Sequence, residues 1–261
     1  MENKNLNLIY FSPTNTTKKV LDAIANGVNS QKVNKIDLIK ENNVKKQNFS
    51  DDDFVIIGVP VYSGRIPITV INRLKNFKAI NTKAVLVVVY GNRQYGDALL
   101  ELKNLAVELG FLPIAAAAFI GEHSFSSSKY PIANGRPNLT DMKFAEDFGE
   151  RIKTKFGMKY SEIKVPGNYP YIERLDKFIL KPKIDLELCK RCGLCQEVCS
   201  VYAISIFDDK IEIDEKLCIY CHACVKICPQ NAITIDDKRI IGFSKILHEK
   251  CKQPKEPEIF L

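Results

Sequence analysis

The first 156 residues alternate between short apolar runs and segments with helical periodicity. Apolar runs of this length predict strands that are buried in a sheet. Segments whose apolar residues recur every three or four positions predict helices, and Gly110 is typical of a helix C-cap. The predicted strands are 6–11, 32–38, 54–59, 83–89 and 111–120, and the predicted helices are 18–28, 68–77, 98–109 and a last one capped by Thr140 or Asp141 and ending near Phe156.

This alternation occurs five times, which predicts an α/β fold with a doubly wound, five-stranded parallel sheet and helices on both faces. In such sheets a ligand lies outside the carboxyl ends of the strands, where the strand order switches. Three loops of unusual composition, 12–17, 60–66 and 90–97, each follow a predicted strand. We therefore expect these loops to converge on one crevice.

The first loop, 12–17, has the hydroxyl-rich sequence Ser-Pro-Thr-Asn-Thr-Thr and precedes a helix. Backbone N–H groups and hydroxyls at a helix N-terminus favour phosphate binding, although simple helix capping is the alternative. The loop lacks the Gly-Lys-Ser/Thr ending of a Walker loop and the G-x-G-x-x-G of a dinucleotide turn. The other two loops carry Tyr62, Tyr90, Tyr95 and glycines, which suit a flat aromatic ring. A phosphate and a flat ring are both parts of FMN.

Eight of the nine cysteines form two copies of one pattern. The copies run over 189–199 and 218–228, and each reads C-x2-C-x2-C-x3-C. This spacing is the bacterial ferredoxin run, in which thiolates hold [4Fe–4S] clusters. The copies are 29 residues apart, and Ala203-Ile204 recurs as Ala232-Ile233 at the same offset, which indicates an internal duplication. The pattern predicts two [4Fe–4S] clusters in a small α+β ferredoxin-like domain.

Zinc and haem are the alternative cofactors for this cysteine pattern. Zinc sites need four ligands in two C-x2-C pairs, which leaves the third and fourth cysteine of each run unexplained. Cys218 to His222 spells the C-x-x-C-H of haem attachment, but haem would leave other cysteines without a role. We interpret His222 as an ordinary residue in the position that Gly193 fills in the first copy, and Cys251, the ninth cysteine, as structural.

The overall composition limits where we expect the protein to be located and what we expect it to bind. The N-terminus lacks a secretory pattern, so we expect a cytoplasmic protein, in which thiols stay reduced and clustered cysteines favour metal chemistry. The longest apolar stretch, 111–120, is too short to span a bilayer. The formal net charge is +7, but two clusters and a flavin phosphate would contribute about −2 each, leaving about +1. The lysines are dispersed, so the charge pattern predicts no nucleic-acid binding.

Residues 6–156 resemble a flavodoxin, and the whole chain resembles the clostridial-type fusions of a flavodoxin with a ferredoxin. The motifs that carry the likeness are Ser-Pro-Thr-x-Thr-Thr, Pro-Val-Tyr-Ser-Gly-Arg and Tyr-Gly-Asn-Arg-x-Tyr in the three loops. The family usually has Gly where Asn15 stands, and Asn is one of the few other residues that adopt the left-handed conformation cheaply. The resemblance implies FMN binding by Ser12, Thr14, Asn15, Thr16, Thr17, Pro60, Val61, Tyr62, Ser63, Gly64, Tyr90, Gly91, Asn92, Arg93, Tyr95, Gly96 and Asp97.

The ferredoxin pattern also predicts how the thiolates are shared. In two-cluster ferredoxins the fourth cysteine of each run ligates the other cluster. The first cluster would be held by Cys189, Cys192, Cys195 and Cys228, and the second by Cys218, Cys221, Cys224 and Cys199.

The expected domain bounds are 1–156 for the flavodoxin-like domain, 157–183 for a linker, 184–237 for the ferredoxin domain and 238–261 for a C-terminal tail. Aromatic residues in the linker indicate that it packs against a domain. Within the ferredoxin domain, 204–207 and 211–214 are predicted to pair as a hairpin.

Both domains together predict an electron-transfer protein of an anaerobe, which passes electrons between FMN, two [4Fe–4S] clusters and external redox proteins. No acid–base pair, nucleophile motif or nicotinamide site is visible, so the sequence favours a carrier over an enzyme. Two alternatives stay open, an FMN-dependent reductase that uses the clusters as an internal wire, and a binding role without redox turnover. His123, Arg65 and Arg93 are further candidates for the crevice, and the sequence leaves a homodimer open.

Overall fold

The computed structural model describes residues 5–40, 45–174, 182–207 and 210–261. The N-terminal part alternates strands and helices, and every strand and helix predicted there is present. Its elements are β1 (Asn5–Tyr10), α1 (Thr16–Val28), β2 (Val33–Asp37), β3 (Gln47–Phe49), β4 (Asp53–Pro60), α2 (Ile68–Leu74), β5 (Phe77–Ala79), β6 (Thr82–Tyr90), α3 (Ala98–Glu108), β7 (Phe111–Ile120) and α4 (Leu139–Lys155).

The cysteine-rich part is built from short elements. They are β8 (Lys183–Ile184), α5 (Leu194–Glu197), β9 (Ile204–Phe207), β10 (Lys210–Ile213), α6 (Ala223–Ile227) and β11 (Ile233–Thr234), and they are followed by α7 (Lys238–Lys250) and β12 (Glu258–Phe260). Strands β9 and β10 form the predicted antiparallel hairpin, with Ile206 opposite Ile211. Strand β8 pairs with β11, which joins the two ends of this part.

The main sheet has the strand order β12-β7-β6-β4-β1-β2. Counted along the chain, its five parallel strands β1, β2, β4, β6 and β7 stand in the order 2-1-3-4-5. This is the flavodoxin-like doubly wound order, and it confirms the predicted α/β fold class. The order switches between β1 and β4, so a ligand crevice is expected at their carboxyl ends.

Helices cover both faces of this sheet. Val85 and Val87 of β6 pack against α1 and α4, whereas Leu86 and Val88 point to the opposite face, toward α2 and α3. All four of these side chains are fully buried. Burial on both faces is the reason that β6 is a continuous apolar run rather than an alternating one.

Helices α1 and α4 approach closely at Gly27 and Gly149. A Cβ on Gly149 would lie 2.1 Å from the carbonyl oxygen of Ile24. Because a helix backbone cannot move aside as a side chain can, we expect Gly149→Ala to lower the free energy of unfolding by about 1–3 kcal/mol. Urea denaturation measures this effect. Gly157→Ala is the control, since its Cβ would lie 3.9 Å from the nearest atom, and equal midpoints for both variants would contradict the close packing.

Two predicted helix boundaries are wrong. Helix α2 ends at Leu74 rather than near 77, because residues 77–79 form β5, which pairs with β3 and buries Phe77. Helix α4 is capped by Asn138 rather than by Thr140 or Asp141. The Asn138 side chain accepts a hydrogen bond from the Asp141 N–H, and the Asp141 carboxylate accepts one from the Asn138 N–H. This capping box satisfies two backbone donors at once.

The C-terminal segment returns to the first domain. Strand β12 runs antiparallel to β7 and places Ile259 opposite Ala117. The sheet therefore has six strands, of which five are parallel and β12 is antiparallel. Strand β12 covers an edge whose N–H and C=O groups would otherwise lack a neighbouring strand. Across the described ranges, no helix combines the length and apolar composition needed to cross a bilayer. The domain bounds stay a prediction, and 175–181 of the predicted linker lie outside the described residues.

Candidate functional site

A crevice opens at the carboxyl ends of β1, β4 and β6, and the three predicted loops meet there. The predicted flavin residues that line it are Thr14, Thr16, Thr17, Pro60, Val61, Tyr62, Ser63, Tyr90, Gly91 and Arg93. The remaining predicted flavin residues are in the described part of the chain but do not line the crevice. They are Ser12, Asn15, Gly64, Asn92, Tyr95, Gly96 and Asp97.

The first loop divides its hydroxyl groups between helix capping and the crevice. The Ser12 hydroxyl accepts a hydrogen bond from the Lys18 N–H, 3.0 Å away, and so serves α1 itself. Asn15 has φ 64°, which confirms the expected left-handed conformation at the position where the family usually has Gly. The Thr17 hydroxyl is buried and has no hydrogen-bond partner among the described residues. An unpaired buried hydroxyl at a helix N-terminus is available to an anion.

The second loop is a tight turn that aims Tyr62 into the crevice. The Tyr62 N–H donates to the Arg65 carbonyl at 2.9 Å, and the Arg65 N–H donates to the Tyr62 carbonyl at 3.1 Å. Ser63 and Gly64, between them, have φ 53° and 78°, as in a primed turn. Burial, and to a lesser extent the nearby Cys221 thiol, raises the pKa of the Tyr62 phenol well above its ordinary value, so Tyr62 stays neutral.

The third loop turns only part of its side chains toward the crevice. Gly91 allows a close approach, because a Cβ there would lie 2.3 Å from the His123 ring. Asn92 instead holds the C-terminal segment, since its amide donates to the carbonyls of Cys251 and Gln253 at 2.8 and 2.9 Å. The Tyr95 hydroxyl donates to Glu258 of β12 at 3.0 Å. Two residues predicted to contact flavin therefore attach the tail.

Asp97 and Arg65 both contact the linker. The Asp97 carboxylate accepts hydrogen bonds from the N–H groups of Asn168 and Ile172 at 2.8 and 2.6 Å. Burial acts to raise the Asp97 pKa, but these N–H donors outweigh it and the pKa is lowered. The Arg65 guanidinium donates to the Ile172 carbonyl of the linker at 2.7 Å, and it forms two hydrogen bonds to the Glu101 carboxylate at 2.9 and 2.6 Å. The expected packing of the linker against the first domain is confirmed for its described part.

The eight cysteines of the two runs surround two separate apolar cavities. Cys189, Cys192, Cys195 and Cys228 line the first, and Cys199, Cys218, Cys221 and Cys224 line the second. Each cavity takes its fourth thiol from the other repeat, which is the grouping that the crossed pattern predicts. No three His, Cys, Asp or Glu side chains of the described ranges are grouped for a single metal ion. A [4Fe–4S] cluster is a larger group that is held by four separate thiolates.

Both repeats have the same backbone turns around these cavities. Gly193 and His222, 29 residues apart, have φ 80° and 59°, which confirms that His222 fills the position of Gly193. The Ala203 N–H points to the Cys199 sulfur at 3.2 Å, and the Ala232 N–H points to the Cys228 sulfur at 3.3 Å. The two copies of the sequence therefore form the same contact, in which a backbone N–H points to the fourth thiol of each run.

Residues 181–252 match the family described as a 4Fe–4S dicluster domain. The chain joins a flavodoxin-like domain to a 4Fe–4S dicluster domain. With eight cysteines in two runs, the dicluster domain implies two [4Fe–4S] clusters. A search of curated proteins found no match for this chain.

The flavodoxin-like domain is similar to solved flavodoxins at low identity. The FMN-bound flavodoxin of Fusobacterium nucleatum is 18% identical, with 59% of this chain and 99% of that chain covered and a TM-score of 0.39. Oxidised flavodoxin 1 of Bacillus cereus is 14% identical, with 60% of this chain and 100% of that chain covered and a TM-score of 0.40. Rubredoxin oxygen:oxidoreductase of Desulfovibrio gigas is 14% identical, with 59% of this chain and 37% of that chain covered and a TM-score of 0.41. These scores are low, so the fold assignment rests on the strand order of this chain.

The dicluster domain forms part of the wall of the crevice in the flavodoxin-like domain. Four of its residues complete the lining: Ile219, Tyr220, Cys221 and Phe243. The Lys226 ammonium lies 3.1 Å from the Glu122 carboxylate, and the Phe125 ring lies 4.9 Å from the His222 ring. None of these contacts had a signal in the sequence, because their partners are about a hundred residues apart along the chain. Since Cys221 belongs to the second cavity, the second cluster site borders the crevice.

Two histidines lie at this junction. His123 lines the crevice as expected, and its Nδ1 accepts a hydrogen bond from the Phe125 N–H at 3.0 Å. Burial, assisted by the positive charge of Lys226, lowers the pKa of His123 and of His222 to about 4. Burial at this junction therefore disfavours the charged form of both rings.

Proposed function

We propose that this chain is an electron carrier, in which FMN held in the crevice exchanges electrons with external redox proteins through two [4Fe–4S] clusters. The flavodoxin-like and dicluster domains support a redox role. Bound FMN would supply a centre that exchanges one or two electrons, and each cluster a centre that exchanges one.

The crevice fits both parts of FMN. Thr14, Thr16 and Thr17 would hold the phosphate, and the unpaired Thr17 hydroxyl in the first turn of α1 is the observation that fits it. A helix N-terminus adds a favourable positive potential for that charge. Tyr62 and Tyr90 would flank the ring, because both line the crevice next to the threonines.

The cluster ligands follow from the two cavities. We assign Cys189, Cys192, Cys195 and Cys228 to the first cluster, and Cys218, Cys221, Cys224 and Cys199 to the second. The polarity and solvent exposure of the surroundings are among the factors that set a cluster's reduction potential, and the exposed Cys192 makes them differ between the two cavities.

One observation carries the proposal: Cys221 lines both the second cysteine cavity and the flavin crevice. The second cluster would therefore lie beside the flavin within a single chain. Electrons would not have to cross to another protomer. A carrier needs such adjacent centres.

The Thr17 hydroxyl provides a direct test of the flavin site. We expect Thr17→Val to raise the Kd for FMN about tenfold or more, since a hydrogen bond to a charged group contributes roughly 1.5–3 kcal/mol. Fluorescence titration of the apoprotein with FMN measures this. Thr140→Val, at an exposed position, should leave the affinity unchanged. Equal affinity in the wild type and Thr17→Val would place the phosphate elsewhere.

The carrier proposal is tested on anaerobically reconstituted protein. After photoreduction of the clusters, flavin absorbance should change in a first-order step whose observed rate constant does not depend on protein concentration. An observed rate constant that rises in proportion to protein concentration would overturn electron transfer within one chain. The alternative, an FMN-dependent reductase, has one supporting observation, since Glu122, His123 and Ser124 add polar groups to the crevice. Saturable consumption of a quinone, nitro compound or enone would establish that alternative instead.

A further inference from the structure

The two cysteine repeats place equivalent residues in opposite surroundings. Lys190, Arg191 and Cys192 of the first repeat correspond to Ile219, Tyr220 and Cys221, 29 residues later. The backbone bends in the same way at the middle position of both loops, because Arg191 has φ 51° and Tyr220 has φ 55°. The two loops are therefore equivalent turns beside their own cluster sites.

In the second repeat this loop faces inward. Ile219, Tyr220 and Cys221 all line the flavin crevice. Under the proposed function, electrons pass between the second cluster and the flavin along this loop. Ile219 is apolar and Tyr220 is aromatic, which suits a loop that contacts the inside of the protein rather than solvent.

In the first repeat the same loop faces solvent. All nine cysteines lie in the described part of the chain, and Cys192 alone among them is exposed. Lys190 and Arg191 are exposed beside it. Just before them, Leu186 and Leu188 are 62% and 49% exposed. Apart from the thiolates that would hold the cluster, Glu187 is the only acidic side chain between 186 and 192, so Lys190 and Arg191 give the other side chains of this stretch a net positive charge.

We propose that residues 186–192, here called the port loop, are the docking surface for an acidic electron-transfer protein. This inference rests on the proposed function and names its partner class. The partner would lose one electron as the first cluster gains one, and that electron would pass to the second cluster and the flavin. Lys190 and Arg191 would attract the partner's acidic rim, while Leu186 and Leu188 would form the apolar centre of the contact.

Two properties of the molecule favour this loop over the crevice as the place where a partner protein delivers electrons. Tyr220 and Phe243 of the dicluster domain form part of the crevice wall, so a protein partner that approached the flavin from this side would meet the dicluster domain first. The port loop, in contrast, exposes a cluster cysteine without any rearrangement. A small contact of this type is typical of transient redox encounters.

The test uses the holoprotein and two purified carriers, an acidic two-cluster ferredoxin and a basic cytochrome c. Binding of both oxidised carriers is followed by titration calorimetry. Reduction of the clusters is followed by stopped flow with the reduced ferredoxin alone, because cytochrome c has too high a reduction potential to reduce a ferredoxin-type cluster. The main variant is Lys190→Glu with Arg191→Glu. The second is Lys190→Ile with Arg191→Tyr, which copies the residues that the second repeat already accommodates in the same turn.

We expect the wild type to bind the acidic carrier more tightly than the basic one, with an affinity and rate that fall as salt is added. The Lys190→Glu/Arg191→Glu variant should lose about tenfold or more in the rate at low salt, and the Ile/Tyr variant should lose the salt dependence. Iron content and reduction by dithionite should stay unchanged. The control Lys238→Glu/Lys245→Glu carries the same change of charge on α7 and should behave as the wild type.

A wild type that binds the acidic carrier no better than the basic one would overturn the proposal, as would equal rates for the port-loop and control variants. The proposed function has its own test, which is the first-order electron transfer between clusters and flavin within one chain. It fails if that step is missing. If that step is present while the port-loop variants react normally, only the docking surface is wrong.

Discussion

A Cys199→Ala variant is expected to lose the cluster beside the flavin, although Cys199 belongs to the first repeat. The Cys199 side chain lines the second cavity together with Cys218, Cys221 and Cys224. Without it that cluster has three thiolates instead of four. Iron should fall from about eight to about four per chain. Flavin reduction from the remaining cluster after photoreduction should be abolished or slowed by orders of magnitude.

Cys228→Ala is the matched variant, because it removes the fourth thiol of the first cavity. It should lose the same amount of iron but keep the exchange between flavin and second cluster. Cys251→Ala is the control, since Cys251 packs with Ile132 and Leu247 rather than beside either cavity. If Cys199→Ala kept the flavin exchange and Cys228→Ala abolished it, each run would serve its own cluster.

Replacing Glu101 by Gln is expected to cost about 3–5 kcal/mol of stability, the penalty for breaking a buried ion pair. The Glu101 carboxylate accepts hydrogen bonds from Arg65, Arg174 and the Ile66 N–H, at 2.6–3.0 Å. The side chains of Arg65 and Glu101 are only 11% and 6% exposed. A Gln amide would turn donors toward the two guanidinium groups and leave their charge unbalanced.

The effect is measured as the urea midpoint and as hydrogen exchange of 157–174. Both the Tyr62–Arg65 turn and the linker depend on this carboxylate, so amide protection should fall in both, and FMN affinity should fall with them. Glu108→Gln on the same helix is exposed and should change stability by less than about 0.5 kcal/mol. A loss of similar size in both variants would show that the buried pairs contribute little.

The cysteine pattern was the most informative part of the sequence, for a physical reason. Ligand spacing is local, since three thiolates of a run must reach one cluster across two-residue gaps. The matched dicluster family and the two cavities agree with the interpretation made from spacing alone. The backbone similarity of Gly193 and His222 was also readable, because both stand at the same offset in the duplication.

The three loops meet at one crevice as predicted, but only some of their predicted flavin residues line it. Thr17, Tyr62 and Tyr90 line the crevice, whereas Asn92 and Asp97 hold the tail and the linker. A position at the end of a strand indicates which edge of the sheet a residue occupies. It does not indicate which way the side chain turns, since that depends on partners 70 or more residues away.

By itself, the sequence determined the order of strands and helices, the doubly wound sheet, the edge where the loops meet and the cofactor type of the cysteine runs. Each of these depends on periodicity or spacing within a few residues, where backbone geometry leaves few choices. Only the tertiary structure decided that α7 and β12 fold back onto the first domain, that the second cluster site borders the crevice and that the first faces solvent. These outcomes depend on hydrogen bonds and burial between distant segments, such as Asn92 with Cys251 and Phe125 with His222, which no local pattern encodes.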